Sequence, residues 1–343
     1  MKQTKIVRIT DVEKDKALLE EAGRIIRDGG IVVFPTETVY GIGANGLDPD
    51  CCRSIYEAKG RPSDNPLILT VPDQAGAKKI AASVSPTAQK LLDTFWPGPL
   101  TIIFPRKACV PDAATGGLDT VAVRCPDHAI AHAFLQAAGV PVAAPSANLS
   151  GRPSPTTAEE VAHDMNGRVD MIIDGGPCHI GVESTIVECN DDGGVTILRP
   201  GGVTLDMLQA VVGEVRIDPN MVTGKGVPKA PGMKYRHYAP KAPVTVVRGD
   251  PQDTAKYIAA HIGDSTGVLC FDEYKNMFPN CIVECFGSRD DLGAQAREVF
   301  DRLRAFDDTS VTQIWAQCPS DEGLGLAVAN RIKKAAGVSV VEV

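Results

Sequence analysis

Residues 30–46 read GIVVFPTETVYGIGANG, and this stretch contains the pattern that decides the fold class. The run 31–34 is entirely apolar and ends at Pro35, which predicts a short strand buried on both faces. Upstream, apolar residues recur at helical spacing over 15–28 and stop at two glycines, which predicts a helix. A helix next to a buried strand is typical of an α/β or α+β sheet.

The glycines of this stretch match G-x-G-x-x-G, the fingerprint of dinucleotide-binding folds. In those folds the glycines directly follow a strand and open a helix. Here residues 35–40 separate the predicted strand from Gly41, and Asp48 and Pro49 follow the last glycine. We therefore interpret 41–46 as a glycine-rich loop that allows tight backbone turns. The sequence also has no G-x-x-x-x-G-K-[ST] motif, so a nucleotide would have to be held in another way.

The rest of the chain predicts a sheet of mixed strand direction with helices around it. Thr157 and Glu160 have the spacing of a capping box and mark the start of one helix. Apolar runs predict further strands at 67–71, 100–104, 120–124, 140–144, 171–174, 184–188 and 195–198. Helical spacing predicts helices at 49–59, 74–82, 86–94, 127–138 and 157–164.

The composition changes near residue 219, which indicates a domain boundary. Residues 220–249 contain six basic residues, no acidic residue and four prolines, and this favours an irregular connector. We expect a catalytic domain over 1–218, a connector over 219–243 and an accessory domain over 244–343. Within the accessory domain, strands are predicted at 244–249, 267–271, 282–285 and 311–316, and helices at 293–305 and 326–336.

The overall composition limits the class of protein. The chain has 343 residues, of which 43% are hydrophobic and 23% charged, as in ordinary globular proteins. Its formal net charge of −8 argues against a protein whose whole surface binds nucleic acid. The sequence shows no secretory signal and no apolar window long enough to span a membrane. Its ten cysteines form no C-x-x-C pair. We therefore expect a cytoplasmic protein with reduced thiols.

Two short motifs are candidates for binding a polyphosphate. Lys59 and Arg61 combine a compact charge with a planar fork, the two cation types that suit a phosphate chain. Ser146 and Asn148 directly follow a predicted strand, at the end where α/β sheets often bind ligands. Each motif alone has an ordinary explanation, since a lone K-x-R usually lies on a solvated surface and Ser and Asn favour turns.

Other polar residues adjoin the predicted strands. Arg124 ends an apolar strand and therefore needs an anionic partner, which could be a substrate carboxylate or an acid of the protein. Residues 183–185 place hydroxyl groups at a strand start, and Arg199 adds a cation on a glycine turn. The aromatic cluster at 235–238 could stack on a nucleotide base or fix the connector in place; the sequence leaves both open.

In order along the chain, six segments resemble the YrdC-domain family: FPTETVYGIGAN (34–45), KGRPSDNPL (59–67), VAVRCPDH (121–128), APSANLSGRPSPT (144–156), ESTIV (183–187) and LRPGG (198–202). PGMKYRHYAP (231–240) and GLGLAVANRIKKAAG (323–337) resemble the long form of that family, the threonylcarbamoyl-AMP synthases. The resemblance implies an α/β fold with a twisted mixed sheet around a concave, positively lined cavity. It also implies a small Rossmann-like α/β domain at the C-terminus.

The resemblance also implies site residues, motif by motif. Thr70 is a departure, because some relatives carry a histidine at that position near the threonine. Residues at threonine-binding positions are Thr36, Thr70, Arg124 and Ser184. Residues at nucleotide-binding positions are Lys59, Arg61, Thr120, Ser146, Asn148, Ser154, Arg199 and Tyr238, of which Lys59 and Arg61 form the catalytic pair.

The activity that the resemblance implies is the condensation of L-threonine, bicarbonate and ATP into threonylcarbamoyl-AMP and pyrophosphate. This product is the donor for t6A at position 37 of tRNA, so the downstream t6A transferase machinery is an expected partner. Contact with tRNA itself is expected to be weak or indirect, and contact with membranes is not expected. We expect Mg²⁺ to arrive with ATP, because the sequence contains no carboxylate cage that would bind a metal. Because the carbamate intermediate is labile in water, the connector with Tyr238 is expected to act as a lid.

Two alternative functions are also compatible with parts of the sequence. The first is an RNA-binding module, which the basic connector favours and the net charge opposes. The second is an enzyme that adenylates carbamoyl phosphate, as related domains do within larger hydrogenase-maturation proteins. Those proteins carry acylphosphatase and zinc-finger segments, and this sequence has neither.

Overall fold

The computed structural model describes residues 2–219, 221 and 237–343. The chain divides into two units, and each is described by itself. The first contains the described residues of 1–150, 155–179 and 183–234, and the second contains 151–154, 180–182 and the described residues of 235–343. Residues 220 and 222–236 lie outside the described residues, and with them most of the predicted connector and lid.

The first unit alternates strands and helices around one mixed sheet. Its strands are β1 (Lys5–Arg8), β2 (Val32–Phe34), β3 (Gly41–Asn45), β4 (Ile68–Thr70), β5 (Leu100–Pro105), β6 (Thr120–Arg124), β7 (Val142–Ala143), β8 (Met171–Asp174), β9 (Thr185–Cys189), β10 (Val195–Arg199) and β11 (Val215–Ile217). Its helices are α1 (Lys16–Arg27), α2 (Pro49–Lys59), α3 (Gln74–Ile80), α4 (Pro86–Phe95), α5 (Asp112–Thr115), α6 (Ala129–Ala138), α7 (Ala158–Met165) and α8 (Leu205–Val212).

The sheet of the first unit has the order β1-β8-β2-β3-β7-β4-β6-β5-β9-β10-β11. Parallel pairs such as β4 with β6 and β5 with β9 alternate with antiparallel pairs such as β5 with β6. The mixed direction predicted from the sequence is therefore confirmed. Strand β7 is shorter than its predicted run, since Pro141 and Pro145 flank it and a proline cannot donate to a neighbouring strand.

Residues 41–45 are a strand, so the loop predicted there is wrong. Strand β3 pairs with β2 in antiparallel direction, which also differs from the parallel β-α-β geometry of a dinucleotide fold. The glycines serve close packing within the sheet. A Cβ on Gly43 would lie 2.7 Å from Val142 Cγ1, and one on Gly41 would lie 3.3 Å from the Phe34 ring. Glycine in a strand interior often marks such a close approach.

Two helices of the first unit show how the sequence sets their ends. Helix α2 begins where the Asp48 carboxylate accepts from two backbone amides, and it ends at Gly60, whose φ of 62° is left-handed. Helix α7 has the predicted capping box, in which the Thr157 side chain and the Glu160 side chain each accept from the backbone of the other. The end of α2 matters for function, since it positions the residues on either side of Gly60.

The second unit contains an all-parallel sheet with the order β14-β13-β15-β12-β16. In chain order this is 3-2-4-1-5, whereas the classic Rossmann order begins 3-2-1-4. Segment 151–154 is tied to this unit, because Arg304 Nη2 donates to Pro153 O at 2.6 Å and Arg152 pairs with the buried Asp307. The elements are β12 (Val244–Arg248), α9 (Pro251–His261), β13 (Thr266–Cys270), β14 (Ile282–Cys285), α10 (Leu292–Ala305), β15 (Gln313–Gln317), α11 (Gly325–Ala336) and β16 (Val340–Glu342).

The helices of the described residues are short or amphipathic. None of those helices combines the length and the apolar character that crossing a membrane requires.

Candidate active site

A row of three polar side chains crosses the sheet of the first unit. Thr70 of β4 and Thr101 of β5 are both register partners of Arg124 on β6, the strand between them. Register partners on adjacent strands point to the same face of a sheet. Thr70, Arg124 and Thr101 are only 4%, 8% and 0% exposed. Because interiors rarely hold so many polar groups side by side, this row marks a candidate site for a polar ligand.

An apolar patch continues the same face beside the row. Ile68, Ala122 and Ile103 are also register partners on these three strands, each two residues from a member of the polar row. With Ile186 and Leu198 they form a hydrophobic cluster separate from the main core. Polar groups next to a small apolar floor are typical of sites that bind small molecules.

Arg124 has an acid of the protein beside it. Its Nη2 atom lies 2.7 Å from Glu37 Oε1, although the orientation does not satisfy hydrogen-bond geometry. Its Nη1 atom donates to Thr38 Oγ1 at 2.8 Å, and the Thr38 hydroxyl lies 2.9 Å from that of Thr36. A protein carboxylate therefore supplies an anionic partner for Arg124. The role of Arg124 toward a threonine carboxylate stays a prediction.

Ser184 connects residues that were predicted to bind different substrates. Its hydroxyl lies 2.7 Å from that of Thr101, at the end of the polar row. Arg199 donates to the Ser184 carbonyl from Nε and Nη2 at 3.1 and 2.9 Å, and from Nη2 to the Ser184 hydroxyl at 3.2 Å. A predicted nucleotide-binding arginine therefore touches a predicted threonine-binding serine.

The structure brings the K-x-R and S-x-N motifs together. Lys59 is 2% exposed, and its ammonium donates to the Ser146 carbonyl and, at 2.5 Å, to the Asn148 carbonyl. The Ser146 hydroxyl donates to Asn148 Oδ1 at 2.6 Å. The Ser150 amide donates to the Lys59 carbonyl at 2.9 Å. Lys59 and the S-x-N motif form one cluster with a buried positive charge, and its contact with nucleotide phosphates stays a prediction.

Arg61 follows the left-handed Gly60 and is surrounded by its own loop. Its Nη2 atom donates to the carbonyls of Asn65 and Pro66 at 3.4 and 3.2 Å. Asn65 is fully buried, and neither polar atom of its side chain has a hydrogen-bond partner among the described residues. The backbone of segment 61–66 therefore holds the guanidinium of Arg61.

Three further predicted nucleotide residues are Thr120, Ser154 and Tyr238. Thr120 begins β6 and shares the face of the polar row, but at the opposite end of the strand. Ser154 and Tyr238 belong to the second unit. There the Tyr238 ring stacks on Phe300 at 5.2 Å between centroids, and the Arg331 guanidinium lies 5.5 Å from its centroid. The Tyr238 ring is thus packed within the second unit; both of its predicted roles, contact with a nucleotide base and fixing of the connector, stay predictions.

Four buried polar residues of this site were not among the predicted site residues. Glu37, Thr38 and Asn65 stand within the quoted motifs, and Thr101 interrupts an otherwise apolar strand. A polar residue inside an apolar run was the available signal for Thr101. For Glu37 the signal was an acid three residues after a fully apolar strand.

Two cysteines near the site are neutral thiols. Burial raises the pKa of Cys125 and of Cys178 to about 12 in each case. A thiol is a nucleophile only as its thiolate, so neither residue is set up for covalent catalysis. Among the described residues, no group of three or more His, Cys, Asp and Glu side chains has an arrangement that would hold a metal ion.

Comparisons with known proteins cover almost the whole chain. Residues 24–201 match the Sua5–YciO–YrdC family, described as "Telomere recombination", and residues 203–337 match the family described as "Threonylcarbamoyl-AMP synthase, C-terminal domain". Threonylcarbamoyl-AMP synthase of Bacillus subtilis is 44% identical over 98% of both chains. The protein of that name from Pyrococcus abyssi is 46% identical over 94% of this chain and 95% of its own.

Solved structures show the same likeness. The structure of P. abyssi Sua5 complexed with L-threonine matches with a TM-score of 0.91 and 43% identity, covering 99% of each chain. The E. coli YciO structure matches with a TM-score of 0.52 and 26% identity, covering 59% of this chain and 96% of its own. From both matched regions and the full-length relatives, this chain belongs to the threonylcarbamoyl-AMP synthase family, in the long form that has a C-terminal domain.

Proposed function

We propose that this protein condenses L-threonine, bicarbonate and ATP into L-threonylcarbamoyl-AMP and pyrophosphate, as a nucleotidyltransferase that serves t6A modification of tRNA. The observation that carries the proposal is the likeness, over 99% of the chain, to Sua5 in complex with L-threonine. The buried polar row with its apolar floor supports it, because threonine combines charged groups with a methyl group.

The chemistry needs positioning more than a reactive side chain. The amine of threonine attacks bicarbonate, and an oxygen of the resulting carbamate displaces pyrophosphate at the α-phosphorus of ATP. Neither step requires a covalent intermediate with the enzyme, which agrees with the neutral thiols of Cys125 and Cys178. Both steps benefit from cations around the phosphates and from a fixed approach of the reacting atoms.

The residues divide between the two substrates in this proposal. Lys59 and Arg61 neutralise the phosphate chain, with the Ser146–Asn148 loop held against Lys59. Arg124 receives the carboxylate of threonine. Arg199 touches Ser184, so it connects the nucleotide side with the threonine side.

The remaining expectations are part of the same proposal. Mg²⁺ would neutralise the triphosphate and would be held by the phosphates themselves, which suits a site built from cationic and neutral side chains. The product would pass to the t6A transferase machinery in the cytoplasm, and direct contact with tRNA would be weak. The division into a catalytic domain over 1–218, a connector over 219–243 and an accessory domain over 244–343 is proposed on the same basis.

The test is a reaction with ATP, threonine and labelled bicarbonate. The proposal expects a labelled adenylate and pyrophosphate release that requires threonine. Pyrophosphate release without threonine would overturn it, and transfer of label from carbamoyl phosphate instead of bicarbonate would favour the related adenylating enzyme. A salt-dependent shift of tRNA without ATP turnover would favour the RNA-binding alternative.

A further inference from the structure

Glu37 is a buried acid that the reaction scheme above does not use. Its side chain is 1% exposed and lies in the loop between β2 and β3. Neither of its oxygens accepts a hydrogen bond of acceptable geometry from the described residues, although Arg124 Nη2 lies 2.7 Å from Oε1. A buried carboxylate is costly unless cations and hydrogen-bond donors both compensate it. The ion pair compensates Glu37 only in part, so its retention needs a further reason.

The Glu37–Arg124 pair is complementary to a free amino acid. An amino acid carries a carboxylate and an ammonium group on the same carbon. The pair offers a positive charge for the first and a negative charge for the second, with Arg124 Nη2 2.7 Å from Glu37 Oε1. In the structure Glu37 faces the positive charge of Arg124, as it would face the ammonium group of the ligand. Arg124 faces the negative charge of Glu37, as it would face the carboxylate of the ligand. The Thr38 hydroxyl accepts from Arg124 Nη1, and the Thr36 hydroxyl donates to the Val39 carbonyl, so these two hydroxyls fix the loop that carries Glu37.

We propose that Glu37 binds the α-ammonium group of threonine and accepts a proton from it, while Arg124 receives the carboxylate. This inference rests on the proposed function, in which the amine is the nucleophile. An ammonium group has no free electron pair and cannot attack, so a proton has to leave first. Burial favours the transfer, because an ion pair is replaced by two neutral groups.

The step balances without a further reactant. One proton moves from the threonine nitrogen to an oxygen of Glu37, and the electron pair left on nitrogen forms the bond to the carbon of bicarbonate. The bond from that carbon to its hydroxyl oxygen breaks, and the departing hydroxide takes the second proton of the amine and leaves as water. The products are the carbamate and a neutral Glu37, which returns its proton to solvent after the product has left.

The test compares two ligands in the full chain. One is L-threonine, and the other is the hydroxy acid in which a hydroxyl replaces the α-amino group. Both carry the carboxylate for Arg124, but only threonine carries the ammonium for Glu37. Glu37→Gln keeps the size and polarity of the side chain and removes its charge. We expect the preference for threonine over the hydroxy acid, measured by calorimetry, to fall by about 10- to 100-fold in this variant.

The kinetic arm of the test concerns the proton. In Glu37→Gln, kcat should stay at least about 10-fold below wild type even when threonine is saturating, because no group takes the proton. A wild-type ligand preference in Glu37→Gln would overturn the binding role. A wild-type kcat at saturating threonine would overturn the proton transfer.

Two further variants separate these roles from damage to the fold. Glu160→Gln weakens the cap of α7 and should lower the melting temperature without changing the ligand preference. If Glu37→Gln does not yield folded protein, Glu37→Asp serves as the second variant, because it keeps the negative charge but moves it away from the ammonium group of threonine. Its preference for threonine over the hydroxy acid should fall several-fold. A wild-type preference in Glu37→Asp would overturn the proposal. Wild-type protein that turns over ATP without threonine would instead reject the proposed function.

Discussion

At the scale of single residues, Lys59 is unusual because backbone carbonyls already hold its charge. Removal of either Lys59 or Arg61 should reduce turnover by about 10- to 100-fold, since each lost charge-assisted contact costs about 1.5–3 kcal/mol. Steady-state kinetics of Lys59→Ala and Arg61→Ala measure this. Arg61→Lys should recover only part of the rate, because the planar fork is lost.

A matched control for Lys59 exists on the surface. Lys107 is an exposed lysine whose ammonium also donates to a backbone carbonyl, that of Lys78, at 2.6 Å. Lys107→Ala should therefore retain wild-type kinetics. Wild-type turnover in Lys59→Ala would place the triphosphate elsewhere in the protein.

Arg124 leads to a prediction about substrate choice. Arg124→Ala should raise the KM for threonine by about 10- to 100-fold and leave the KM for ATP nearly unchanged, because the substrate contact that is lost is the one to the threonine carboxylate. The control is Arg106→Ala, which removes another arginine of the first unit that pairs with an acid, Asp112. Equal increases in both KM values for Arg124→Ala would mean that the residue serves the fold and not threonine.

The sequence predicted the chemistry of these residues better than it predicted which residues they contact. The need of Arg124 for an anionic partner follows from its position at the end of an apolar strand. The identity of that partner does not, because Glu37 is separated from it by 87 positions and meets it only through the sheet. Thr101 reaches Arg124 only through the register of β5 with β6, which no local pattern encodes.

At the scale of elements, the end of helix α2 sets the direction of Arg61. Gly60 has a φ of 62°, where a Cβ would meet no neighbour but would strain the backbone. Gly60→Ala should therefore lower the free energy of unfolding by about 1 kcal/mol and reduce turnover. Thermal melts and kinetics measure the two effects.

Gly263 provides the comparison for Gly60. A Cβ there would also meet no neighbour, and its φ lies outside the left-handed region. Gly263→Ala should be neutral or slightly stabilising, because it only restricts the unfolded chain. If both alanine variants behaved alike, the left-handed backbone at Gly60 would not be the cause.

Elements with strong periodicity were predictable from the sequence and β3 was not. Strands β6, β8 and β14 have the predicted bounds, and the apolar runs of β6 and β8 are buried. In β3, by contrast, Gly41 and Gly43 are there because neighbouring side chains approach closely, and a sequence does not show a neighbour that comes from a distant segment. The glycines therefore suggested a turn, whereas the fold has a strand in which side chains at these positions would clash with their neighbours.

At the scale of the whole molecule, we expect the first unit to fold alone but to work poorly. All strands of its sheet precede residue 218. A chain cut there loses the partners of segment 151–154, among them Asp307, which pairs with Arg152. We expect a cooperative melt with weak turnover. Full-length Arg152→Ala loses one of these contacts, and its turnover should lie between that of the cut chain and that of the wild-type protein. Full activity of the cut chain would contradict the expectation.

The contacts of Lys59 and Thr101 also constrain how the protein is made. The carbonyl partners of Lys59 lie 87 and 89 positions later in the chain, and the hydroxyl partner of Thr101 lies 83 positions later. A ribosome therefore synthesises one half of each contact long before the other. Until Ser184 and Arg199 have left the exit tunnel, polar side chains that are buried in the folded protein, such as that of Thr101, have not met their hydrogen-bond partners. The ability to bind ligands should therefore arise in a single late step of synthesis. Stalled chains that end before residue 199 could not bind the nucleotide and would not be stabilised by it.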